Sequence, residues 1–345
     1  MQRVSISTAL AVLAVAFSAA AEPKAGESPV DHLPPHITQL TTFGERADWS
    51  HDGRKILFMS KTFGDAMEID LATKNIRNLT AHFPHPGFAR AMYLANGDIL
   101  LTGPTSFDPK KVDVARRHCF LFLLDKSLTK PAVPLDELCS EGPAVSRTRM
   151  HIAWTQWSES DDKNPPTNSV IYEADIVYEN GAPKLAGKKF VVDRHALPFP
   201  CTIETQNFRP PGETELTFSA YNPSGAESDV CSIDLVTKKI TNYTRSPDDY
   251  DEAEGISPDG QYELIECDKQ NHGGPGHIDL WKLNLNNPME YKRLTFFSDY
   301  PGYKASNPVV SDDGKFFAFQ MGMAKNATGT GNGLFIYDFA KAGKN

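Results

Sequence analysis

Short strand-like runs, apolar throughout or alternating apolar and polar, recur along this chain with turn residues between them. "WSHDGRKILF" (Trp49 to Phe58), "ISPDGQYELIEC" (Ile256 to Cys267) and "VSDDGKFFAF" (Val310 to Phe319) are three copies of one phrase. Each has a Ser-x-Asp-Gly turn followed by a run suited to a buried strand. Asp-Gly between two such runs is hairpin chemistry, because Gly takes the positive φ of a tight turn without a steric penalty. Two further runs follow the first two copies: Ala66 to Leu71 and Ile76 to Thr80 after the first, His277 to Leu285 and Tyr291 to Thr295 after the second. The unit is therefore a four-stranded antiparallel meander of roughly 45 residues, the period of a propeller blade.

Weaker copies fill the gaps. "YLANGDILL" (Tyr93 to Leu101) and "FRPPGETELTF" (Phe208 to Phe218) keep the turn glycine, and "VSRTRMHIAW" (Val145 to Trp154) keeps only the apolar run. Val170 to Val177 and Lys189 to Val192 supply strands after that third copy. Six units result, starting near Phe43, Phe83, Cys139, Pro200, Tyr250 and Tyr303. The sixth runs out of chain after "LFIYDF" (Leu334 to Phe339), without a fourth strand. "ITQLT" (Ile37 to Thr41) resembles the fourth strands "IRNLT" and "YKRLT", yet precedes the first unit. The expected fold is an all-β, six-bladed β-propeller of four-stranded antiparallel blades, closed by this N-terminal strand, which removes an exposed edge.

Met1 to Ala21 reads as a secretory signal peptide: Arg3, an apolar stretch from Ala9 to Phe17, then small residues up to Ala21. The expected organisation is 1–21 signal peptide, 22–36 linker and 37–345 a single propeller, in a periplasmic or extracellular protein without a membrane span. Net charge is −9, which argues against nucleic acid, whose binding needs clustered Lys and Arg. Cys119, Cys139, Cys201, Cys231 and Cys267 allow at most two disulfides, of a connectivity that spacing leaves open, or simply buried thiols. None has zinc-site spacing. Asn78, Asn242 and Asn326 begin Asn-x-Thr sequons, relevant only in a eukaryotic host.

The Ser-x-Asp-Gly turn with its "ILF" or "FAF" strand resembles the TolB-like, WD-repeat-like propeller family of exported bacterial proteins, over roughly Ile37 to Phe339. That resemblance implies the blade, and a fold alone does not specify an activity. The separate α/β domain that TolB carries before its propeller has no counterpart here, and there is no Gly-x-Ser-x-Gly elbow of a propeller peptidase. Oligogalacturonate lyases are similar in repeat style, which implies metal-bound histidines at one mouth, although those proteins have seven blades.

In a propeller, the loops leading into each blade and those joining its second and third strands share one mouth of the channel. Sorting polar residues by loop places His82, His85, His195, Glu252, Glu254, Lys304 and Asn307 in incoming segments, with Arg90 beside them. "DKQNHGGPGHID" (Asp268 to Asp279) adds His272 and His277, with three glycines between them. Imidazole and carboxylate together suit a divalent metal, so His272 and His277 are the candidate ligands, and the identity of any cofactor is left open. "SPDDYDEAEG" (Ser246 to Gly255) lacks the alternation of a calcium loop and is expected to be a solvated turn. "ESDDKNPP" (Glu159 to Pro166) is expected to be an exposed loop; Arg116, Arg117 and His118 could meet an anionic ligand, but an edge-strand charge cluster is the expected account. The expected function is recognition of a small molecule, glycan or protein by a monomer. The alternative is a metal-assisted lyase or hydrolase acting on an acidic or carbohydrate-like substrate.

Overall fold

The repeated turn closes through its own side chains. In the first copy Gly53 N–H donates to Ser50 O at 2.8 Å, Ser50 Oγ–H to Asp52 Oδ1 at 2.7 Å, and Lys55 N–H to Ser50 Oγ at 3.0 Å. In the third, Gly314 N–H donates to Ser311 O at 2.8 Å, Ser311 Oγ–H to Asp313 Oδ1 at 2.7 Å, and Phe316 N–H to Ser311 Oγ at 3.1 Å. Serine and aspartate thus pair the groups that a tight turn leaves unbonded. Gly53, Gly260 and Gly314 have φ of 68°, 67° and 69°.

The computed structural model describes residues 26–140, 142–157, 168–327 and 329–343. The signal-peptide segment 1–21 and the loop from Glu159 to Pro166 lie outside the described residues. Six four-stranded antiparallel sheets form the blades of a β-propeller. The first contains Glu45–Trp49, Lys55–Met59, Ala66–Asp70 and Ile76–Asn78; the second Arg90–Tyr93, Ile99–Gly103, Cys119–Leu124 and Val133–Cys139. The third contains Ala144–Val145, His151–Trp157, Ser169–Glu179 and Ala182–Asp193; the fourth Thr202–Phe208, Glu215–Tyr221, Ser228–Asp234 and Ile240–Asn242. The fifth contains Asp251–Ile256, Tyr262–Cys267, Asp279–Asn284 and Tyr291–Arg293. Blade six has Tyr303–Val310, Phe316–Met323 and Leu334–Asp338, and Ile37–Gln39 pairs antiparallel with the last of these, Ile37 opposite Tyr337 and Gln39 opposite Phe335.

The apolar core lies between blades, in layers formed where one sheet packs on the next. Trp49, Ile56, Phe58 and Ile69 of blade one pack with Ala318 and Leu334 of blade six. Trp49 Nε1–H also donates to Val309 O at 3.0 Å, so its one polar atom is paired across the same seam. The segment expected to be a linker packs as well: Val30 and Leu33 lie against the core of blade six. Among the described residues no helix is long and apolar enough to cross a membrane.

Three features differ from expectation. Ser169–Glu179 and Ala182–Asp193 are longer than predicted, because Asn180 (φ 52°) and Gly181 (φ 81°) make the tight hairpin that Asn-Gly favours. Arg116 and Arg117 belong to a short helix, Val112–Arg117, inserted between the second and third strands of blade two; they do not lie on an edge strand. "SPDDYDEAEG" is no solvated turn: Asp249 is 6% and Asp251 0% exposed, and Asp251–Ile256 is the inner strand of blade five. All five cysteines are free and buried, with Cys119 directly opposite Cys139.

Deleting residues 37–41 should cost more than about 4 kcal/mol, because the ladder of Leu334–Asp338 and the apolar face beside it are bared together. Urea denaturation measures this, and a loss below about 1 kcal/mol would contradict ring closure. The turn glycines should differ from one another. A Cβ at Gly53 meets nothing within 4 Å, whereas one at Gly260 falls 2.0 Å from Pro210 O. Gly53→Ala is expected to cost about 1 kcal/mol of backbone strain, and Gly260→Ala at least twice that, by the same measurement.

Candidate functional site: the channel mouth

Four inner strands are interrupted by a bulge. The register slips between Glu45 and Asp48 in blade one, Thr205 and Asn207 in blade four, Ala253 and Gly255 in blade five, and Ser306 and Val309 in blade six. The extra residues include Arg46, Gln206, Glu254 and Asn307, and all four line one cavity. Arg46 and Asn307 have φ of 54° and 49°, a region that non-glycine residues seldom occupy. Bulges re-aim side chains in this way, here toward the channel axis.

The cavity has a volume of about 850 Å³. Its rim comes from incoming loops and from loops between second and third strands, including Asn222 to Gly225, Pro275, Gly276, Asn326, Ala327 and Gly329 to Asn332. On the other face of the ring, the turns are tied by ion pairs. Arg147 Nη2 lies 3.5 Å from Asp48 Oδ1, its Nη1 3.4 Å from Asp312 Oδ1, and His51 Nδ1 2.8 Å from Asp312 Oδ2.

Three of the carboxylates lining the cavity cluster together. Glu252, Glu254 and Glu266 each place an oxygen within 4.8 Å of the others. Glu252 and Glu266 are directly opposed on neighbouring strands, a pairing that like charges disfavour. Each is offset by donors. Tyr221 and Tyr250 both donate their hydroxyls to Glu252. Asn307 gives its side-chain N–H to Glu254 Oε1 at 2.7 Å and its backbone N–H to Glu266 Oε1 at 2.7 Å. Arg90 Nη2 lies 3.9 Å from Glu254 Oε2. Burial pushes the Glu254 carboxyl well above its ordinary range, and burial together with Glu252 raises Glu266 to about 7. Burial likewise holds the Tyr221 and Tyr250 phenols in their neutral, donating form.

Of the residues expected at the mouth, Arg90, Glu252, Glu254, Lys304 and Asn307 line this cavity. The histidines do not. His85 stacks on Phe88 at 4.7 Å and has Nε2 3.2 Å from Asp65 Oδ1. His272 is exposed, with Nδ1 2.7 Å from Asp249 Oδ1, and His277 is exposed too. Their loop is folded back on Asp268, which accepts Gly274 N–H at 2.7 Å through Oδ2 and His272 N–H at 2.7 Å through its carbonyl. The fold-back turns Pro275 and Gly276 toward the cavity, where Lys304 Nζ donates to Pro275 O at 2.8 Å. Residues that sequence reasoning missed are Glu266, Tyr221, Tyr250, Arg194, and the cavity placement of Arg116 and Arg117. Glu266 did leave a trace, as an acid inside the otherwise apolar run of "YELIEC".

No protein-family model matches the chain, and no curated protein does. Solved structures do. A gluconolactonase from Xanthomonas campestris is 11% identical, with 88% of each chain covered and a TM-score of 0.55. A puromycin-hydrolyzing peptidase from Mycobacterium tuberculosis is 12% identical over 81% of this chain and 40% of its own, with a TM-score of 0.50. TolB from Acinetobacter baumannii is 15% identical over 79% of this chain and 61% of its own, at a TM-score of 0.42. At these identities the likeness is one of fold: this chain is a β-propeller with propeller neighbours of several activities.

The buried acids set a pH dependence. Burial raises the Glu266, Glu263 and Asp251 carboxyls to about 7 in the folded chain, above the ordinary 4.5 and 3.8. The folded chain therefore keeps protons that the unfolded chain releases, and stability falls as pH rises from about 5 through about 7. Glu266→Gln should flatten the fall in Tm between about pH 5 and about pH 8, as followed by calorimetry. An unchanged slope would mean that Glu266 is already ionised in the folded protein.

Proposed function

We propose that this chain is a ligand-recognition propeller that seats a small polar molecule in the channel mouth, above Glu252, Glu254 and Glu266. The observation that carries the reading is the convergence of these carboxylates, with Tyr221, Tyr250, Arg90 and Asn307, in one cavity of about 850 Å³. That size fits small-molecule sites, in which a few oriented polar groups fix the ligand. Protonated Glu254 and Glu266 would donate as well as accept hydrogen bonds, which suits hydroxyl-rich ligands such as glycans. The Met1–Ala21 pattern supports export to the periplasm or beyond, and the closed ring supports a monomer.

A metal-assisted lyase or hydrolase is the second reading, favoured by the spacing of the three carboxylates. Their all-oxygen donor set fits a hard cation such as calcium, magnesium or manganese. Glu252, Glu254 and Glu266 would hold the ion in place of their present donors, and the ion would supply Lewis acidity to a bound substrate. The exposure of His272 and His277 gives the metal assignment on those residues no support from the cavity.

A thermal-shift and calorimetric panel of neutral and acidic sugars, amino acids and short peptides, run with and without calcium and manganese, separates the two readings. Recognition predicts saturable binding without metal, weakened about tenfold or more, about 1.4 kcal/mol, by Glu254→Leu, which removes both the donor and the acceptor. Binding or turnover that appears only with a divalent ion would favour the second reading. No binding by any member of the panel would overturn the small-ligand proposal.

A further inference from the structure

Across the channel from blade five, the wall has the opposite charge. Arg90, Arg117 and Arg194 line it, with Arg116 beside them. Ser140 lies in the same wall, 2% exposed, and its Oγ has no hydrogen-bond partner. A buried hydroxyl left unpaired forfeits its hydration without return, so its place facing a cavity asks for a partner from the ligand. Nε of Arg90 and Nε of Arg194 are also buried without a hydrogen-bond partner.

The backbone brings these donors together. Cys119 and Cys139 face each other on antiparallel strands, so the chain arriving from Arg116 and Arg117 runs beside the chain leaving through Ser140. Two residues on, Gly142 approaches Arg90: a Cβ there would lie 3.9 Å from the Arg90 Cζ and 3.8 Å from Glu204 Oε1. Glu204 is a carboxylate of this wall, and Tyr221 OH lies 3.4 Å from its Oε2. The Arg117 guanidinium stands over the Trp157 ring, 6.0 Å from its centroid. A stacked guanidinium keeps its N–H edge available for an oxyanion.

We propose that this wall is an oxyanion subsite, and that the ligand of the channel carries a carboxylate, sulfate or phosphate group. Ser140 Oγ–H and the N–H groups of Arg90, Arg117 and Arg194 hold that group, while the neutral hydroxyl-bearing part of the ligand meets Glu252, Glu254 and Glu266. This deepens the recognition reading and rests on it for the rest of the ligand. Charge-assisted and bidentate hydrogen bonds from arginine are the strong form of such contacts.

The direct probe is inorganic sulfate, titrated calorimetrically into the full chain at an ionic strength held constant with chloride. Saturable millimolar binding is expected. Arg194→Gln and Arg117→Gln should each weaken it about tenfold. Ser140→Ala should weaken it about threefold or more while leaving Tm unchanged or raised, because it removes a buried unpaired hydroxyl. A merely structural serine would lower Tm and leave sulfate affinity alone. Absence of saturable binding, or equal affinity in all three variants, overturns the subsite. Glucuronate against glucose then tests the whole ligand: the acid should bind at least tenfold tighter, and sulfate should compete with it. A neutral ligand indifferent to sulfate would sink the subsite and leave channel recognition standing. Sulfate binding with no organic ligand from the panel would do the reverse.

Discussion

Three hydrogen-bonded residues, Ile37 to Gln39, hold the ring shut against Phe335 to Tyr337. A sheet edge is a row of unpaired donors and acceptors, and a ring of sheets is stable only if its two ends meet. Closure here also draws blade six onto blade one, where Trp49 bonds Val309 and Arg46 N–H bonds Gln320 Oε1 at 2.5 Å. The cavity depends on that seam. Glu252, Glu254 and Glu266 come from blade five, Asn307 from blade six, Tyr221 from blade four and Arg90 from blade two, so no pair of neighbouring blades builds the site alone.

The ring divides its chemistry by radius. Apolar side chains fill the spaces between sheets, while the inner strands turn charged and hydroxyl-bearing residues toward the axis. Placing Glu252 opposite Glu266 carries an electrostatic cost, which Tyr221, Tyr250, Asn307 and Arg90 offset only in part. Burial, with Glu266 and Glu252 beside it, raises the Glu254 carboxyl well above its ordinary range. Strained bulges at Arg46 and Asn307 point the same way. Polar groups held against their own preferences, in a cavity, are what marks this mouth as the candidate site.

The two sides of the cavity are chemically unlike. Acids and phenols gather at blade five, and arginines with an unpaired serine gather across from them. A ligand oriented by such a field has one end suited to hydrogen-bond exchange and another suited to an anion. That polarity would also select against molecules lacking either end, since each would leave buried groups unpaired.

Blade number, blade order and the closing strand were legible in the sequence, because each rests on local chemistry. Ser-x-Asp-Gly turns bond to themselves, glycine alone relaxes at their positive φ, and the "ITQLT" run repeats a fourth-strand pattern. Glu252, Glu254, Lys304, Asn307 and Arg90 were also within reach, since a propeller's loops and inner strands fall on predictable sides. Loop counting could not decide where side chains end up within that mouth. His272 and His277 sit in the right loop, yet Asp268 folds it back and leaves them in solvent. Glu266, Arg194 and the arginines of the short helix reach the cavity through contacts between residues far apart in the chain. Their aim is set by bulges and by the curvature of the closed ring, and both exist only after the sheets have packed.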